Sequence, residues 1–333
     1  MPDGDFDKGP SYVDGAFEHL RSILTEQIVE IAINPDGTIW TEQQGDAYMT
    51  KTDLVLPKTA VEQMCRQMSS GGSVRMSPQH PLGSASIDYQ DWLVRAQIIQ
   101  APAVRMGHSL SLRFFKPKTQ LFEPAYLDGT PKSASAARRE LNERVAELAT
   151  SDLLGALKLC VQEKLNLVVS GGTNTGKTTV ARWLISNVDN RERIITIEDT
   201  PDLMPQQPNK VMLVSDRESD VRGPDKLLQA TLRMRPDRII LSEVTGADAY
   251  TFLKAINTGH GGSITTVHAE TAELAIERLA QTALESGVNM MYRDMISYVQ
   301  RSIDIIVQVG KRDGKRGVME VYLPENFDPT DRE

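Results

Sequence analysis

Leu165-Asn166-Leu167-Val168-Val169-Ser170-Gly171-Gly172-Thr173-Asn174-Thr175-Gly176-Lys177-Thr178-Thr179 decides how the rest of the chain is read. An apolar run of strand type ends at Ser170. A glycine-rich turn follows, and residues 179–185 have helical composition. Gly171, Gly176, Lys177 and Thr178 occupy the fixed positions of a phosphate-binding loop, in the strand–loop–helix context that such a loop requires. The glycines let backbone N–H groups turn inward on phosphate oxygens, and the positive end of the helix adds to that field. Gly172, Thr173, Asn174, Thr175, Gly176, Lys177, Thr178 and Thr179 are therefore the candidate nucleotide-binding residues. Lys177 is placed to reach the β- and γ-phosphates of ATP, and the Thr178 hydroxyl is a candidate Mg²⁺ ligand.

Downstream, strand and helix alternate, which predicts an α/β domain over 137–333. Expected strands cover 165–170, 193–197, 211–214, 238–241 and 263–267, with a closing hairpin around Asp313-Gly314. In an open α/β sheet, ligands bind outside the carboxyl ends of the strands. Four expected strands deliver polar groups there: the phosphate loop, Glu198 with Asp199, Glu243, and His268. Glu243 closes an apolar strand downstream of the loop, where nucleotide hydrolases hold Mg²⁺ or the attacking water. Each carboxylate or imidazole alone reads as a strand end or cap; their convergence on one edge is the signal. The basic cluster Arg233, Arg235 and Arg238 is read as lying near that catalytic edge.

Upstream, residues 1–15 read as a polar tail and 16–26 as a helix. Strands are expected at 28–33, 38–42, 85–89, 92–100 and 109–115, with a helix at 58–68. The expectation is a small α+β domain of PAS-like kind over 1–115, then a Pro-, Gly-, Ser- and Lys-rich linker over 116–136. Two helices follow, separated near Thr150-Ser151-Asp152, where Ser151 or Asp152 is a candidate cap.

The 333 residues suffice for two domains. A formal charge of −8 argues against direct nucleic-acid binding, which usually leaves a basic footprint. Cys65 and Cys160 have no metal spacing and read as reduced, buried thiols of a cytosolic protein. No run approaches the length of a membrane span, and the acidic start has no signal-peptide core, so a membrane role is expected to be peripheral.

Four motifs carry a family resemblance. They are residues 171–179, Ile197-Glu198-Asp199-Thr200-Pro201-Asp202-Leu203, the run from Leu232 to Glu243, and the run from Thr258 through His268 to Ala269. In order and spacing they resemble the Walker A, Asp box, Walker B and His box of the type II/IV secretion ATPases, nearest to the type IV secretion and conjugative-transfer subgroup. The resemblance implies a RecA-like ATPase domain and a homohexameric ring at the cytoplasmic side of a bacterial inner membrane. It also implies other ATPase and inner-membrane components as partners, and ATP hydrolysis coupled to domain motion for substrate transfer or pilus assembly. On the same footing, Lys177 and Thr178 hold phosphates and Mg²⁺, Glu243 is the Walker B carboxylate, Glu198 acts on the attacking water, and His268 senses the γ-phosphate. Arg95 and Arg113 are candidate arginines closing over the nucleotide, or else solvated strand charges. Ser242 stands where the family has Gly, and Thr245 where it has Arg. Two other readings stay open: an ATP-binding subunit with little turnover, and a nucleic-acid translocase, against which the acidic balance speaks.

Overall fold

The computed structural model describes residues 12–116, 123–127, 130–131 and 133–328. Contacts divide the chain into two compact units. The first is Met1–Gln120 with two short pieces, Glu218–Arg222 and Arg233–Arg235; the second is the remainder.

The first unit is an antiparallel sheet with helices on one face. Its strands are β1 (Ile28–Ile33), β2 (Thr38–Gln43), β3 (Thr50–Val55), β4 (Leu82–Tyr89), β5 (Trp92–Gln100) and β6 (His108–Phe115), in the order β3-β2-β1-β6-β5-β4. Side chains of a strand alternate between faces. Ile31, Ile33, Val94, Ala96, Ile98, Leu110 and Leu112 accordingly form one buried face, packed with residues of α1 (Tyr12–Glu18) and α2 (Lys58–Gly71).

Two expectations are corrected here. Residues 12–15 belong to α1 rather than to a tail, and α1 ends at Glu18. Phe17 and Leu20 are fully buried as their spacing predicts, but 19–23 supplies that spacing with turns (Leu20 N→Phe17 O, Ile23 N→Leu20 O) instead of a helix. Strand β3 was not foreseen. Thr50-Lys51-Thr52-Asp53-Leu54-Val55 is polar and mostly exposed because it is an edge, paired only to β2. Residues 1–11, and 117–122, 128–129 and 132 of the expected linker, lie outside the described residues.

The second unit begins with α3 (Ala134–Ala149), which starts earlier than expected because Ser133 caps it, accepting from Ala136 N at 3.3 Å. The Asp152 side chain caps α4 (Leu153–Gln162), accepting from Gly155 N at 2.9 Å. The sheet holds β7 (Leu167–Ser170), β8 (Ile194–Glu198), β9 (Lys210–Val214), β10 (Arg238–Leu241), β11 (Ile264–Val267), β12 (Ile305–Arg312) and β13 (Lys315–Tyr322). Their order is β13-β12-β7-β11-β10-β8-β9, parallel except for the β12–β13 hairpin. β7, β8, β10 and β11 are buried along their whole length, as strands covered on both faces must be. One face packs on α4 and α5 (Lys177–Ser186) through Leu157, Cys160, Leu184 and Ile185. The remaining helices are α6 (Pro224–Thr231), α7 (Asp248–Ile256), α8 (Ala272–Leu284) and α9 (Tyr292–Ser302); α6 meets β8 and α8 meets β12.

At the amino ends of the strands, Asn166 ties three of them together. Its Oδ1 accepts from Gly262 N at 3.1 Å, its Nδ2 donates to Ser302 O at 3.0 Å, and its backbone N–H donates to Asp304 Oδ2 at 2.7 Å. Asp304 is held in turn by Arg138 of α3, whose Nε donates to Oδ1 at 2.6 Å. Arg238 also belongs to this end, which corrects its expected place at the catalytic edge. It opens β10, is 1% exposed, and donates to Glu192 at 2.8 and 2.9 Å and to Gly262 O. Both thiols are buried, and burial pushes the pKa of each up to about 12. Among the described residues no helix is long and apolar enough to cross a membrane.

Candidate active site

The carboxyl ends of β7, β8, β10 and β11 open on one cavity of about 470 Å³. The loop between β7 and α5 makes one wall, with Asn174, Thr175, Gly176, Lys177, Thr178 and Thr179 on its lining. The backbone explains its glycines. Gly176 sits at φ +99°, a left-handed conformation that disfavours side chains, and a Cβ at Gly171 would lie 2.5 Å from Val309 O. Asn174 adopts φ +62° without being glycine. The first bond of α5 runs from Val180 N to Gly176 O at 3.0 Å. The N–H groups of Lys177, Thr178 and Thr179 therefore have no acceptor within the helix and remain available to an anion.

Lys177 is 8% exposed, and its ammonium donates to Gly171 O at 3.0 Å and Gly172 O at 2.9 Å, with His268 Nδ1 at 3.2 Å. On the other side of the ring, His268 Nε2 lies 3.5 Å from Glu243 Oε1. A charged lysine donates to Nδ1, which leaves the proton of a neutral imidazole on Nε2, facing the carboxylate. Burial lowers the Lys177 pKa, and the Glu243 charge opposes that shift. Lysine, histidine and glutamate thus form one chain across three strand ends. Thr266 Oγ1 donates to Ser242 O at 2.7 Å and braces the turn before Glu243.

The two neighbouring acids of β8 part company. Asp199 lines the cavity; Glu198 does not. Glu198 is fully buried, accepting from Thr196 Oγ1 at 2.7 Å and from Asp202 N and Leu203 N, both at 2.8 Å. Those bonds favour the charged carboxylate, but burial outweighs them and raises its pKa. In this structure Glu198 shapes the turn that carries Asp199, Thr200 and Asp202 to the cavity, and its own carboxylate is not on the lining.

Asp199 is held from behind by Arg217. Nε of Arg217 donates to Asp199 Oδ2 at 2.7 Å, Nη2 to Glu243 O at 3.0 Å, and Nη1 to Asp248 Oδ2 at 3.4 Å. Burial raises the Asp248 pKa against the pull of Arg217. Thr245 is exposed in the same turn.

Sequence reasoning passed over Arg217 and Arg316. Arg316 of β13 lines the cavity, and its Nη2 donates to Asn174 Oδ1 at 2.7 Å. No local pattern signals either contact, since their partners lie far off in sequence. Arg95 and Arg113 are in the first unit, exposed and paired in register on β5 and β6. They flank Phe115 at 4.9 and 5.4 Å from its ring centroid and are not among the cavity's lining residues.

A mostly parallel sheet with a glycine loop, a buried lysine and a strand-end carboxylate around one cavity defines a P-loop nucleotide-binding α/β protein. The comparisons narrow this further. The family described as "Type II/IV secretion system protein" matches residues 133–312, more than half of the chain. The chain is 33% identical to the type IV secretion system protein VirB11 of Bartonella quintana, across 94% of this chain and 92% of that one. It is 31% identical to the type IV secretion system protein PtlH of Bordetella pertussis, across 95% and 96%. The crystal structure of the VirB11 ATPase from the Brucella suis type IV secretion system, in complex with sulphate, superposes with a TM-score of 0.81 at 28% identity, covering 94% of this chain and 98% of that one. The chain belongs to the type II/IV secretion system protein family, and is an ATPase of the type IV secretion kind.

Proposed function

We propose that the chain is a Mg²⁺-dependent ATPase subunit that drives substrate transfer or pilus assembly in a bacterial type IV secretion or conjugation system. It works as a homohexameric ring at the cytoplasmic side of the inner membrane, in peripheral contact with that membrane and with other ATPase and inner-membrane components. One observation carries the site assignment: Lys177, His268 and Glu243, from three strand ends, form a continuous polar chain inside the phosphate-loop cavity.

The residues present fit MgATP. Mg²⁺ keeps several waters and takes only one or two protein oxygens beside those of the substrate phosphates. Thr178 and Glu243 line the same cavity, and no group of three or more metal-ligating side chains occurs among the described residues. Bound there, the ion would neutralise developing charge on the β- and γ-oxygens. Lys177 would exchange its loop carbonyls for phosphate oxygens, a stronger, charge-assisted bond. Glu243 would orient water, directly or through the metal, and His268 would report the γ-phosphate to it. Arg95 and Arg113 are proposed as the cations that complete the charge around the transferred group in the assembled ring.

The test is turnover by purified full-length protein, with and without Mg²⁺, beside Lys177→Ala. Turnover should require the metal and vanish in the variant while its circular dichroism stays native. Equal turnover by variant and wild type would remove the assignment. Light scattering with Mg²⁺ and a non-hydrolysable ATP analogue should show a hexamer; a strict monomer with full specific activity at every dilution would remove the ring.

A further inference from the structure

Two side chains of fixed positive charge line the cavity, and they differ in kind. Lys177 is buried, with its ammonium engaged by two carbonyls and an imidazole. Arg316 is exposed and reaches the cavity from β13. Its position is fixed by pairing: Arg316 lies opposite Lys311 in the hairpin, and β12 runs directly beside β7. The arginine stem passes over the loop glycine that precedes α5, since a Cβ built on Gly176 would lie 3.8 Å from Arg316 Cδ. Its guanidinium makes one hydrogen bond to the described residues, to Asn174 Oδ1 at 2.7 Å. Among the described residues the other N–H donors have no acceptor.

We infer that Arg316 is a phosphate-binding residue of this site, a guanidinium that grips the nucleotide's polyphosphate from the outer rim while Lys177 holds it from within. The inference rests on the cavity being the ATP site proposed above. Three features carry it. The arginine stem lies beside Gly176, the residue that opens α5 and precedes its free N–H groups, where an anion is favoured. A planar guanidinium can engage two phosphate oxygens at once, which an ammonium cannot. Its present partner is a neutral amide oxygen, and an ionised phosphate makes the stronger bond, so the exchange is downhill. Lys311, Arg312 and Lys315 at the same hairpin end add like charge in a chain of net −8, favouring polyphosphate over an uncharged nucleoside. Asn174 then serves as the arginine's parking place on the loop when no phosphate is bound.

Fluorescent ADP and ATP analogues titrated onto the full chain test this, with Arg316→Ala, Arg316→Lys, Asn174→Ala, the Arg316/Asn174 double variant and Lys177→Ala. Arg316→Ala should weaken both nucleotides about tenfold, the scale of one charge-assisted phosphate contact, with KM rising more than kcat falls. Arg316→Lys should recover only part of that loss. Asn174→Ala should cost less than Arg316→Ala, and removing Arg316 from the Asn174→Ala background should still cost most of the tenfold. If Asn174→Ala reproduces the whole loss and the double variant adds nothing, Arg316 merely props the loop and the inference falls. Wild-type affinity in Arg316→Ala overturns it alone when Lys177→Ala still loses turnover. Wild-type behaviour in both variants overturns the ATP site itself. Unchanged melting of Arg316→Ala excludes misfolding as the cause of any loss.

Discussion

The two sheets of this chain are built on opposite rules. In the antiparallel sheet neighbouring strands run in opposite directions, so residues that end successive strands fall on opposite edges. Exposed positions alternate with buried ones along β4 and the first half of β5, and its chemistry-bearing residues, Arg95 and Arg113, sit away from the strand ends. In the parallel unit the strands β7, β8, β10 and β11 are only four or five residues long and wholly buried, and whatever follows each strand emerges at the same edge. Parallel alignment therefore gathers groups distant in sequence without any local signal between them. Stability and chemistry should separate between the units accordingly.

The largest expected effect tests the stability side. Leu112→Ala removes a fully buried side chain from the antiparallel sheet and should cost about 2–5 kcal/mol, read by denaturant unfolding. If melting is unchanged, the helix-covered face is not the core of that unit. Next is Glu243→Gln, which should slow turnover about 10²-fold, roughly 2.7 kcal/mol of barrier, while ATP still binds. Lost ATP binding together with a loosened fold would give Glu243 a structural task instead, and blur the contrast.

Glu198→Gln sits across the divide, being a strand-end acid that acts as an anchor. The amide can keep its oxygen on Asp202 N and Leu203 N only with its N–H₂ turned to the Thr196 hydroxyl, so bonds to a carboxylate become weaker neutral ones, which should cost about 1–3 kcal/mol of stability. Because burial raises the Glu198 pKa above its unfolded value, wild-type folding should gain stability as pH falls from the raised value toward the ordinary one, 4.5. Glu198→Gln should abolish that slope. A variant of native stability that hydrolyses ATP far more slowly would return Glu198 to the chemistry. The smallest effect belongs to neither sheet: Asp152→Ala deletes the α4 cap and should lower stability by about 0.5–2 kcal/mol without touching nucleotide affinity.

Much of the site was legible in the sequence because parallel strands order their ends so strictly. The phosphate loop, Glu243 and His268 needed only correct strand positions. The same reasoning, pressed harder, would have relocated two residues. Thr196 and Glu198 are two apart on one strand and so share a face, and it is Thr196 that donates to the carboxylate. Arg238 opens its strand rather than closing it, which assigns it to the far edge. The edge strand β3 was hidden by its polarity. Arg217 and Arg316 were illegible in principle: what gives them meaning is Asp199, Glu243, Asp248 and Asn174, all brought near only by the finished sheet.

The knot of Arg138, Asp304 and Asn166 has a mechanical meaning. Arg138 lies in the first turns of α3, so tension arriving from the preceding chain meets the Arg138–Asp304 ion pair before it meets any strand. From Asp304 the load passes to Asn166, and through it to the entries of β7, β11 and β12 together. A load along α3 is thereby spread over three neighbouring strand entries instead of one, at the end of the sheet remote from the cavity.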